Sequence, residues 1–551
     1  MKMHRILATA AGLALAAGPA MAAAPTGPHY GGTLRMVAAA AEGTVDPQVN
    51  YTVKYWQILP MIYDGLVTFR KAGGKEAFQI VPDLAEALPK PTDGGKTYVF
   101  KLRKGIKFSN GKDVTVQDVV YSTIRLFKVL NPNAGAWYNV ILGGDACVKT
   151  PATCKLPGVV GDPKTNTITF HLVHPDSEFL DQLAVPFGAI VPAGTPNKDM
   201  GTTPIAGTGA YMIKSYDPNK EMVLTRNPHF KQWDAAAQPW GYPGKMVYRF
   251  GLTANAQVTG VENGQYDWMF DSIPLDRLNE IATRYPKQLH VSPLLAYWYA
   301  EMNVNMKPFS NLDARLAVNY AINRADLVKL YGGPALAEAS CQVLPPGMAG
   351  YEPYCPFTKN PGTKWSAPDM AKAQALMKKS GMIGQPVTII TQTVDPYRAI
   401  GVYLQSVLNK LGFKASVKAI SPNIEFVYLQ NSNNKVQIGV TDWYQDYPAP
   451  SDFLNVLYSC ANFHPGSDTS INMPGFCDKA IDAEMKKAMT LSLTDPAAAN
   501  KIWTAVDKKI TDLGSTATLF NPKHVDFVSK RLHNFVFSGQ TQFQPQLAWV
   551  K

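Results

Sequence analysis

The sequence predicts an α/β protein divided into more than one lobe, on three observations. Residues 387–392 (VTIITQ), a helical run over 397–411 and Lys414–Ile420 follow one another as strand, helix and strand. Such a β-α-β unit implies a parallel sheet, because its crossover returns the chain in the same direction. Residues 436–441 (VQIGVT) then alternate apolar and polar side chains in the period-2 manner of a half-buried strand. Finally, 551 residues are far more than one hydrophobic core usually serves, so two or three lobes are expected.

The stretch 442–450 (DWYQDYPAP) follows that last strand. Its two prolines stop ladder pairing, so it reads as a loop. Ligands of parallel sheets bind beyond the carboxyl ends of the strands, which is where Trp443, Tyr444 and Asp446 are expected. A carboxylate between aromatic walls can hold a cationic group by charge-assisted hydrogen bonding and ring contacts. The plainer reading of the same residues is an ordinary surface turn.

Lys2 and Arg5, the apolar run 6–17 and Ala20-Met21-Ala22 have the form of a secretory signal peptide, so cleavage after residue 22 is expected. The apolar run is short for a membrane span, and no later segment offers the roughly 20 apolar residues a span needs. No cysteine lies near the cleavage site to accept a lipid, so a periplasmic location is expected. Loss of the leader leaves 529 residues and lowers the formal charge from +11 to +9. These charges are scattered and form no basic block, so no nucleic-acid partner is expected.

Six cysteines fall as three sequence neighbours, Cys147 with Cys154, Cys341 with Cys355 and Cys460 with Cys477. Local disulfides are the economical reading in an oxidising compartment, although six cysteines allow 15 pairings. No C-x-x-C occurs, which disfavours a thiol redox enzyme or a cysteine-rich zinc site.

In chain order, Gly31–Val37 (GGTLRMV) reads as an opening strand and 42–47 (EGTVDP) as a loop that could face a ligand. Residues 61–69 carry a glycine turn between apolar segments, and 81–88 (VPDLAEAL) read as a short helix with proline near its start. Gly94-Gly95-Lys96-Thr97 superficially resembles the end of a phosphate loop. Lys90 stands where that motif needs glycine, and a strand over 98–102 follows instead of a helix. Residues 101–114 read as a hairpin turned at Asn110-Gly111. Thr115 to Asp118 resembles a capping box opening a helix with Val116, Val119, Val120, Ile124 and Phe127 on one face.

Residues 143–163 read as a loop stapled by a cysteine pair, and 167–173 as a strand. His171, His174 and Asp176 do not make a convincing metal site, because strand positions three apart point to opposite faces. Gly207-Thr208-Gly209 is a turn lacking the helix of a dinucleotide fingerprint, and 211–213 with 222–226 form a second hairpin. Residues 261–269 give a helix end, a glycine stop and a strand start. Residues 294–305 form an aromatic strand in which Tyr297, Trp298 and Tyr299 point alternately into a core and a cleft, core packing being the commoner fate. A helix over 311–322 buries either Leu312, Leu316 and Tyr320 or Ala317 and Ala321, and Ser366 is the natural N-cap of the next. Helices over 479–489 and 496–513 and strand-like stretches 517–520 and 525–528 close the chain.

Several strings together resemble one family, the extracytoplasmic solute-binding proteins of peptide ABC importers, family 5. They are GGTLRMV at 31, the run 81–122, GTGAYMI at 207, TRNPHF at 225, NLDARLAVNYAINRADLV at 311 and DWYQDYPAPSDFL at 442, in family order over nearly the whole chain. The resemblance implies a type II-like periplasmic-binding-protein clamshell with an extra subdomain in its first lobe. The implied division is 23–70, 190–292 and 518–551 for the first-lobe core, 71–189 for the extra subdomain and 293–517 for the second lobe. It also implies a small-molecule ligand, a peptide, delivered to a membrane ABC permease with cytoplasmic ATPases, no cofactor and a monomer.

In dipeptide- and oligopeptide-binding members an aspartate three residues after a tryptophan pairs with the peptide's ammonium. Trp443-Tyr444-Gln445-Asp446 matches that spacing, which makes Asp446 the leading ligand residue, beside Trp443 and Tyr444. The resemblance further suggests Glu42 and Thr44 in the opening loop and Tyr297, Trp298 and Tyr299. Related members take metal chelates, opines, sugars or haem, so a non-peptide solute is the alternative, and no arginine partner for a short peptide's carboxylate is evident. An exported hydrolase is the remote reading: no G-x-S-x-G elbow, H-E-x-x-H helix or S-x-x-K box lies at a plausible place.

Overall fold

The computed structural model describes residues 26–551. The expected signal peptide over 1–22 lies outside the described residues. Two large mixed sheets organise the chain. The first has the order Trp268–Met269, Gly31–Val37, Pro243–Arg249, Glu221–Arg226, Tyr211–Asp217. Its opening strand runs parallel to both neighbours, and the remaining pairs are antiparallel.

A three-stranded sheet of Thr97–Lys101, Thr167–His171 and Val159–Asp162 carries the helix Val116–Lys128. The Thr115 and Asp118 capping box is formed in both directions. Val116, Val119 and Phe127 are buried, with Val120 and Ile124 half-buried beside them. The Asn110-Gly111 turn is also formed: Phe108 N–H bonds the Lys112 carbonyl at 2.9 Å, and Gly111 takes φ +85°.

The second large sheet runs Leu289–Pro293, Thr516–Phe527, Ala296–Met302, Ile438–Tyr444, Pro386–Gln392, Lys414–Ile420, with Ala337–Ala339 also paired to Thr516–Phe527. Pro386–Gln392 and Lys414–Ile420 are parallel and joined by the helix Tyr397–Lys410, as the β-α-β pattern requires. Ile438–Tyr444 lies between Pro386–Gln392 and Ala296–Met302. It is therefore covered on both faces rather than half-buried: Ile438 and Val440 join one core, and Trp443 joins the other.

Other local expectations are corrected. Residues 81–88 form no helix, because Asp83 N–H bonds the Leu66 carbonyl at 3.0 Å and Glu86 N–H the Lys101 carbonyl at 2.8 Å. So short a segment has little helical stability with which to resist neighbouring backbone. In Leu312–Ala321 the Ala317 and Ala321 alternative holds, with Ala314, Val318 and Tyr320 also buried, whereas Leu312 is exposed. Asp369, not Ser366, caps Met370–Ser380 by accepting from Lys372 N–H at 3.0 Å; the Ser366 hydroxyl is engaged with Thr358 at 2.8 Å. The stretches 517–520 and 525–527 belong to one 12-residue strand, Thr516–Phe527, with Val528 just beyond it.

That strand connects the lobes. Its first half pairs with Ala296–Met302, and its second half pairs antiparallel with Leu289–Pro293, from Lys523 opposite Pro293 to Phe527 opposite Leu289. Trp268 in the first sheet donates through Nε1 to Asp526 at 2.7 Å, anchoring the far end. Two crossings thus lie side by side as a paired ribbon. The three cysteine neighbours form Cys147–Cys154, Cys341–Cys355 and Cys460–Cys477, linking residues 7, 14 and 17 positions apart. Among the described residues, no helix is long and apolar enough to cross a membrane.

Candidate ligand-binding site

The strand Ile438–Tyr444 ends where the lobes meet. Its carboxyl end opens on a cavity of about 280 Å³, near the lower end of the roughly 300–1,000 Å³ usual for small-ligand sites. The second lobe supplies Leu294, Leu295, Phe426 and the run Asp442 to Asp446; opposite them stand Tyr51, Thr52, Val53, Trp56 and residues 539–542.

Hydrogen bonds cross the gap. The Tyr51 hydroxyl donates to the Asp446 carboxylate, and Gln540 Nε2 donates to the Asp446 carbonyl. Gln445 Nε2 reaches the Gly539 carbonyl at 3.0 Å and Gln540 Oε1 at 3.1 Å. Tyr51 is held among Trp56, Phe187 and Trp137, with ring centroids 5.4, 5.4 and 6.4 Å away.

Asp446 is 6% exposed, and its backbone N–H donates to Asp452 at 2.8 Å. Burial pushes its carboxyl up to about 7, against the opposing hydrogen bonds from Tyr51 and Asp452. Asp442 accepts from the Tyr397 hydroxyl at 3.0 Å and is pushed up to about 6, again chiefly by burial. Among the described residues lining the cavity none is Lys, Arg or His. Aromatic walls and two carboxylates without a lining cation make a surface complementary to a cation.

Of the residues expected at the site, Trp443, Tyr444 and Asp446 line this cavity. Glu42 and Thr44 lie outside it: Glu42 pairs with Lys54 at 2.7 Å, and the Thr44 hydroxyl donates to Asp199 at 2.5 Å. Tyr297 and Tyr299 stack at 4.5 Å in the core behind Trp443. Trp298 packs on Tyr397 at 4.1 Å in the core on the other face of the sheet. Tyr51, Trp56, Phe426 and Gln540 escaped sequence reasoning. Tyr51 stands 395 positions from its partner Asp446, and no local periodicity marks such a pairing. Among the described residues no group of three or more His, Cys, Asp or Glu is arranged to hold a metal ion, His171 and His174 included.

Two lobes linked by a paired ribbon of strands and meeting around one cavity define a clamshell binding protein. The model for bacterial extracellular solute-binding proteins, family 5 (middle), matches residues 79–465. The chain belongs to that family, and is a binding protein rather than an enzyme. It is 28% identical over 467 residues to the glutathione-binding protein GsiB of Escherichia coli O6:K15:H31 (strain 536 / UPEC), covering 82% of this chain and 83% of GsiB. Among solved structures, clavulanic acid biosynthesis oligopeptide binding protein 2 superposes with a TM-score of 0.83 at 23% identity, covering 95% and 96% of the two chains. The DppA protein of Helicobacter pylori in complex with the peptide STSA gives 0.80 at 21% identity, covering 95% and 98%.

Proposed function

We propose that this chain is the periplasmic substrate-binding component of an ABC importer and that its solute is a di- or oligopeptide with a free amino terminus. The observation that carries the reading is Asp446, a buried carboxylate on the cavity wall among residues that include no cation. A peptide ammonium entering there would displace the Tyr51 hydroxyl and form a charge-assisted hydrogen bond, roughly twice as strong as a neutral one. The peptide-linked names of GsiB, DppA and the oligopeptide binding protein support the same class. Because both lobes line the cavity, a ligand touching both binds the closed form better and shifts the population toward it. The closed form would then dock on the membrane permease. In this reading the first lobe is formed by 23–70, 190–292 and 518–551, with 71–189 as its added subdomain, and 293–517 form the second lobe.

The test is native mass spectrometry of the protein isolated from the periplasm of its own cell, followed by denaturing release of whatever it carries. Recovered peptides are the expected result. A sugar, haem or metal chelate as the sole released solute would keep the importer role and overturn the peptide.

A further inference from the structure

We propose that the cavity has a second cation position, at Asp442, so that the solute carries two positive groups: the amino terminus at Asp446 and a basic side chain close to it. This rests on the peptide reading above and deepens it.

Asp442 and Asp446 share the same wall, four residues apart, which is at most about 13 Å along an extended chain. That span suits the α-ammonium and the side-chain cation of one lysine- or arginine-type residue, or of two adjacent residues. The surroundings of Asp442 are aromatic: Tyr397 donates to it, and Trp298 lies against Tyr397 and Tyr331 with centroids at 4.1 and 5.4 Å. A carboxylate beside ring faces suits an organic cation, which gains both an ion pair and cation–π attraction.

Two further acids outside the cavity lining are under-partnered: Glu425, which feels the charge of Asp442, and Glu301, which feels that of Glu425. Glu425, 1% exposed and adjacent to the cavity residue Phe426, has Oε1 without a hydrogen-bond partner; its Oε2 accepts from Gln392 at 3.4 Å. Glu301, 2% exposed, has Oε2 without a hydrogen-bond partner. Among the described residues no Lys, Arg or His forms an ion pair with Asp442, Glu425 or Glu301; the hydrogen bonds reaching Asp442 and Glu425 come from the neutral Tyr397 and Gln392. Buried carboxylates are ordinarily paired or hydrogen-bonded, because burying their charge alone is costly. On the cavity wall itself the acids are Asp442 and Asp446, neither paired with a cation among the described residues, and a cation from the solute is the complement that Asp442 lacks.

The experiment is titration calorimetry at pH 7.5 with three probes: lysyl-alanine, norleucyl-alanine, which keeps the four side-chain carbons but lacks the ammonium, and pentane-1,5-diamine. The parent protein is expected to bind lysyl-alanine roughly tenfold more tightly than norleucyl-alanine. Asp442→Asn is expected to collapse that preference, whereas Asp446→Asn weakens both peptides and keeps their ratio. Equal affinities in the parent overturn the second cation position and leave the peptide reading standing, as does a preference that survives Asp442→Asn. Binding of the diamine without either peptide keeps the two-cation site and overturns the peptide, while binding of none of the three overturns both. The parent comparison decides the matter even if a variant fails to fold.

Discussion

Asp446 carries the sharpest expectation at the scale of single residues. Replacing it with Ala leaves the ligand's ammonium buried without its carboxylate, a loss of about 2–5 kcal/mol by analogy with buried charge pairs at interfaces. Calorimetry with an amine-bearing peptide reads this directly, and parental affinity in the variant would remove Asp446 from the site. The mutated side chain also releases the Tyr51 hydroxyl, so the change reaches across the gap between lobes. The sequence marked this residue because a carboxylate among Trp443, Tyr444 and Tyr447 follows a strand. It could not show what faces Asp446, since Tyr51 and Gln540 come from distant parts of the chain. Tyr297, Trp298 and Tyr299 were harder still. Alternation puts their rings on opposite faces of a strand, but only the tertiary packing shows that both faces of this one are core.

At the scale of elements, the opening loop around Asp46 holds its shape through a buried ion pair with Arg125 on the helix Val116–Lys128. Both side chains are fully buried, with Arg125 Nη2 at 2.6 Å and Nη1 at 3.1 Å from the two carboxylate oxygens. Asp46→Ala strands the guanidinium and is expected to destabilise the first lobe by about 3–5 kcal/mol. Denaturant unfolding followed by a probe in that lobe measures it; a shift under about 1 kcal/mol would contradict the role. The pair also shows why acids in this loop resist functional assignment from sequence: Glu42 and Asp46 face cations of their own lobe, Lys54 and Arg125.

Elements whose signals were local came through the sequence well, among them the Thr115 capping box, the Asn110-Gly111 turn and the β-α-β unit. Elements decided by distant partners did not. Residues 81–88 had a helical look that backbone pairing to Leu66 and Lys101 overrides. At Gly439 a Cβ would come within 2.6 Å of Leu429 and 2.8 Å of Glu301, so its bareness lets the helix Pro422–Gln430 approach, a reason that lies in a distant partner.

For the whole molecule, the carboxylates near the lobe interface and in the second lobe set opposite pH dependences for stability and for binding. Burial raises Asp446 to about 7, Glu178 to about 8, Asp181 to about 7, Asp442 to about 6 and Glu425 to about 8, from ordinary values of 3.8 for Asp and 4.5 for Glu. Groups raised in the folded state bind protons more tightly there than in the unfolded chain. Their stabilisation is therefore complete below the ordinary values and is lost as pH rises through about 6 to 8. The ligand-free protein is expected to melt at a lower temperature at pH 7.5 than at pH 5.5. A cationic solute reverses the preference at Asp446, because it pairs with the ionised carboxylate and lowers that group's pKa. Affinity should therefore climb over the same interval, up to about pH 7.7–8.0, where a peptide's own amino group begins to lose its proton. Thermal unfolding with and without an amine-bearing peptide, measured from pH 5.5 to 7.5, gives both quantities. The stabilisation by ligand should widen as pH rises; a gap that narrows instead would mean that the solute meets Asp446 as a neutral hydrogen-bonding group, and the ammonium assignment would go with it.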